Sequence, residues 1–66
     1  MDIILEGIKE AIQEEIDAQE KYKRLKEEAD EQKLKALFDQ LIKDEEEHEE
    51  ILSIIFLSPI SYILLF

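Results

Sequence analysis

The sequence predicts an all-α fold, an antiparallel two-helix hairpin that dimerises into a four-helix bundle. Three observations predict it. Two apolar stripes of helical period run through the 66 residues. One short polar interruption, Asp30-Glu31-Gln32, separates them. A single glycine and a single proline leave few places where a helix would break. So short a chain buries little core by itself, and without cysteine it has no disulfide to compensate. Self-association, a metal, or both must supply the missing stability. Residues 1–58 are read as the helical hairpin and 59–66 as an apolar C-terminal tail.

Asp2 can cap a first helix that runs to about Ala29. Its inward stripe is Ile8, Ala11, Ile12, Glu15, Ala18, Gln19, Tyr22, Leu25 and Ala29, apolar except where Glu15 and Gln19 interrupt it. Gly7 is the one weak position, costing about 1 kcal/mol against alanine in a helix interior. Asp30 is the expected N-cap of the second helix, whose stripe is Leu34, Leu37, Phe38, Leu41, Glu45, His48, Leu52 and Ile55. A connection this short joins antiparallel helices.

From Ile51 to Phe66 there is no charge at all. Pro59 should end the helix near Leu57 or Ser58. The proline-broken run is shorter than the ~20 residues that span a bilayer. The first reading of the tail is burial against another subunit. A membrane-interface segment, or the edge of a following domain, is the second. The N-terminus carries no secretory pattern, which places the protein in the cytoplasm or inside an intracellular protein compartment.

The chemistry concentrates at Glu15, Glu45 and His48. Glu45 and His48 are three residues apart, side by side on one helical face. A carboxylate and an imidazole on a core-facing stripe are costly to bury unless something satisfies them, and a metal ion does so. Glu15 lies fifteen residues before Asp30 and Glu45 fifteen after. At 1.5 Å per residue both are about 22 Å from the turn, so an antiparallel hairpin sets them at one level. A second hairpin would double the set and complete a dinuclear carboxylate site. Carboxylate and imidazole donors suit iron or manganese, with zinc as a substitute. Asp44, one turn before His48, and either Gln19 or Tyr22 are placed to support the ligands. A net charge of −10 suits cations and argues against nucleic acid as a partner.

Ala11-Ile12-Gln13-Glu14-Glu15-Ile16-Asp17-Ala18-Gln19-Glu20-Lys21-Tyr22 resembles the first helix of rubrerythrin and related ferritin-like proteins, with its Glu-x-x-Ala-x-x-x-Tyr pattern. Leu37-Phe38-Asp39-Gln40-Leu41-Ile42-Lys43-Asp44-Glu45-Glu46-Glu47-His48 is similar to that family's second helix. The resemblance covers roughly residues 8–52. It implies a di-iron centre with Glu15, Glu45 and His48 as ligands and Tyr22 as a core residue beside them. Rubrerythrin carries four helices in one chain and a cysteine-ligated rubredoxin domain, and this sequence has neither. In plan it looks more like the encapsulated ferritins, whose implied activity is iron(II) oxidation for storage within a protein shell. Two function classes follow: a ferroxidase-type di-iron oxidase acting as a homo-oligomer, and a non-catalytic helical assembly module. The module's acidic cluster would be solvated or hold a structural metal.

Overall fold

The structure, a computed structural model, describes the backbone of residues 2–57 and the side chains of residues 3–57. It is an all-α antiparallel hairpin. Helix α1 spans Asp2–Glu28 and helix α2 spans Gln32–Leu57. Good helix formers fill both, and Gly7 is the only glycine in either. The roles assigned to the Asp2 side chain and to the tail 59–66 lie outside the described residues. None of the described helices is long and apolar enough to cross a membrane.

The turn differs in detail from the expected one. The Ala29 amide donates to the Lys26 carbonyl at 3.2 Å, tightening the end of α1. The Lys35 amide donates to the Glu31 carbonyl at 3.0 Å, so Glu31, not Asp30, occupies the cap position of α2. A one-residue displacement is natural here, because no glycine or proline fixes the boundary.

Antiparallel register follows from the pairs that meet. Tyr22 stacks on Phe38, with ring centroids 6.3 Å apart and planes at 21°. Nearer the open end, Leu5 and Phe56 line one shallow pocket. On the surface near the turn, Lys26 Nζ lies 2.6 Å from Asp39 Oδ1. That pair is solvent-exposed and contributes at most about 1 kcal/mol.

Two helices cannot cover two stripes. Among the described residues no apolar side chain is fully buried, and the one buried residue is polar, Gln19. Ile8, Ile12, Phe38, Leu41 and Leu52 are half-buried between the helices. Leu25, Leu34 and Leu37, on the same predicted stripes, stay exposed, as do Ile51 and Ile54 further along α2. The stripes are wider than one neighbouring helix can shield. The open flank of the hairpin is therefore apolar along much of its length.

Candidate metal centre

Glu15 comes from the middle of α1, and Glu45 and His48 come from α2. One ligand atom of each lies within 4.8 Å of the other two. His48 Nδ1 is 3.2 Å from Glu15 Oε2 and 3.8 Å from Glu45 Oε1. The equal counting from the turn accounts for this meeting. Because α2 side chains lean toward their own N-terminus, His48 reaches back to the level of Glu15.

Burial within the cluster is uneven. The two glutamate side chains are 21% exposed and the His48 side chain 57%. His48 was expected to point inward but instead stands at the lip of the helix pair, on the open flank. The cluster is thus walled on the hairpin side and open on the other.

Two carboxylates meet in the cluster, and each bears on the other's charge. Glu45 is held above the usual glutamate range, first because it shares a hydrogen bond with Glu15. Partial desolvation and the charge of Glu15 push in the same direction, as does nearby Asp44, while His48 opposes them. A cation held between the two carboxylates would relieve the same repulsion. The donor spacing also fits. Nitrogen and oxygen donors bind zinc tetrahedrally at roughly 2.0–2.2 Å, so donors on one such ion are about 3.4 Å apart. The 3.2 and 3.8 Å from His48 to the two carboxylates bracket that distance.

The supporting residues are arranged differently from the expectation. Asp44 Oδ1 accepts from Gln40 Nε2 at 2.8 Å, an exposed bond along its own helix, and reaches the cluster only through its charge. Tyr22 packs on Phe38. Among the described residues, Gln19 makes the one polar link that is not on the surface or within the cluster, donating from Nε2 to Glu49 Oε1 at 2.7 Å. Sequence reasoning passed over Glu49 among its acidic neighbours. The signal available was its spacing, four residues after Glu45, matching that of Gln19 after Glu15.

A hairpin of amphipathic helices with a carboxylate–histidine cluster at mid-height has the features of a ferritin-like protein. The Rubrerythrin family model matches residues 3–57, nearly the whole of both helices, and the chain belongs to the rubrerythrin family. No curated protein and no solved structure matches it significantly.

Proposed function

We propose that this chain is a di-iron carboxylate protein of ferroxidase type. In this reading two copies pair across the open flank into a four-helix bundle, and each contributes Glu15, Glu45 and His48 to one shared site. The observation that carries it is the convergence of two carboxylates and an imidazole in a rubrerythrin-family hairpin whose described helices leave His48 exposed. Pairing would shield Leu25, Leu34 and Leu37 and enclose His48 in the same act.

Two iron(II) ions held together would supply two electrons to O₂ or peroxide. The chain's own contribution is to hold and neutralise them. Glu15 and Glu45 would hold the ions through their carboxylate oxygens. His48 would add an imidazole nitrogen from the flank. Manganese or zinc can occupy the same donors. The activity serves iron storage or detoxification, in the cytoplasm or within a protein shell.

The alternative is a non-catalytic assembly module, and the exposure of His48 is the observation in its favour. A solvated acidic cluster or a structural metal would tolerate an open lip. One experiment separates the two. Anaerobic protein is mixed with Fe²⁺ and then with air, and ferric absorbance is followed against buffer. The di-iron reading predicts faster oxidation than in buffer, and an equal rate favours the module.

A further inference from the structure

Gln19 is the most buried described side chain, only 8% exposed, yet it is an amide in a position where leucine would pack. Its Nε2 donates to Glu49 Oε1 at 2.7 Å in partly buried surroundings. Each partner lies one helical turn after a candidate ligand on its own helix, Gln19 after Glu15 and Glu49 after Glu45. Counted from the turn, Gln19 sits below the ligand layer and Glu49 above it. Side chains lean toward the N-terminus of their own helix, so in an antiparallel pair these two lean toward each other. Their hydrogen bond therefore crosses between the helices at about the level of the ligands.

We propose that the Gln19–Glu49 hydrogen bond is a positioning clamp that sets the separation of Glu15 and Glu45 across the helix pair. The inference rests on the metal reading above. Among the described residues, the other inter-helix polar contacts are the exposed Lys26–Asp39 pair and those of Glu15 with His48 and Glu45 within the cluster. Without the clamp, helix sliding would alter the distance between the carboxylates. With it, a charge-assisted bond of good length fixes that distance before a cation arrives. Gln19 and Glu49 are positioning residues. They touch no metal in this account and act through the spacing of Glu15 and Glu45.

The test uses Co²⁺ as probe with the full chain, because its visible ligand-field bands report donor geometry directly. Gln19→Leu should keep the protein helical by circular dichroism, shift the Co²⁺ bands, and weaken Co²⁺ binding about tenfold, the scale seen when supporting contacts of metal ligands are lost. Glu49→Leu breaks the same bond from the other helix and should reproduce both changes, which keeps the test valid if Gln19→Leu fails to fold. Glu49→Gln is the conservative rescue. Its side-chain carbonyl still accepts from Gln19, so bands and affinity should stay within about twofold of the unaltered protein. Unchanged bands and affinity in both leucine variants overturn the clamp, as does a Glu49→Gln protein that loses as much as Gln19→Leu. Failure of the unaltered protein to bind Co²⁺ overturns the metal reading itself and the clamp with it.

Discussion

Two layers of the hairpin, one heptad apart, make opposite use of the same geometry. Tyr22 follows Glu15 by seven residues and Phe38 precedes Glu45 by seven, so the aromatic and carboxylate layers occupy equivalent places about 10 Å apart along the pair. In the first, two rings stack and stabilise the contact. In the second, two carboxylates face each other, and the contact holds Glu45 above the usual glutamate range. Nothing in the backbone demands the difference. A leucine at either glutamate would continue the stripe. Residues that work against stability at a place where apolar ones would fit are the physical mark of a site, and the aromatic layer shows what the same place looks like without one.

Breaking each layer in turn should give opposite results. Glu15→Ala and His48→Ala should abolish fast Fe²⁺ oxidation while the protein remains helical, as rapid-mixing absorbance and circular dichroism would show. Glu46→Ala and Glu47→Ala, on exposed positions beside the cluster, should oxidise at nearly the unaltered rate. Phe38→Ala should do the reverse, costing about 2 kcal/mol in urea unfolding but sparing the chemistry. That is less than the roughly 3–5 kcal/mol for fully buried phenylalanine, because Phe38 is only half-buried.

A pH series sharpens the contrast. Glu45 binds its proton more tightly folded than unfolded, so folding takes up a proton. Glu45's contribution to stability should therefore be fully present below the ordinary glutamate range and be lost as pH rises through its raised value. Glu45→Gln keeps a hydrogen-bond donor toward Glu15 without the titration, and its urea midpoints should lose this part of the decline. A variant declining as steeply as the unaltered protein would assign the effect to other carboxylates. The smallest change belongs to neither layer. Gly7 is helical, and a Cβ there meets nothing within 4 Å. Gly7→Ala should add roughly 0.5–1 kcal/mol without altering oxidation.

The levels of these layers were legible in the sequence because helical rise is uniform. Counting residues either side of the turn places Glu15 opposite Glu45 without any knowledge of packing. The Gln19–Glu49 bond was hidden because it joins unequal heights through the lean of two long side chains. Glu49 also sits in an acidic run whose members differ only in direction around the helix. The exposure of His48 was hidden for another reason. A stripe shows which side chains avoid water in the finished assembly, not which of two neighbours, the hairpin partner or a second copy, does the covering. The cap at Glu31 shows a similar limit, since with no glycine or proline in the turn either acidic residue could have held it.

The central claim is that the carboxylate layer is half of a site completed by a second copy. Native mass spectrometry of the iron-loaded protein tests it most directly, because it counts chains and metal ions in one particle. The account predicts particles with an even number of chains and two iron ions for every two chains, with Glu15→Ala particles free of iron. A monomer that carries its own tightly bound iron, or an oligomer that takes up none, would contradict it.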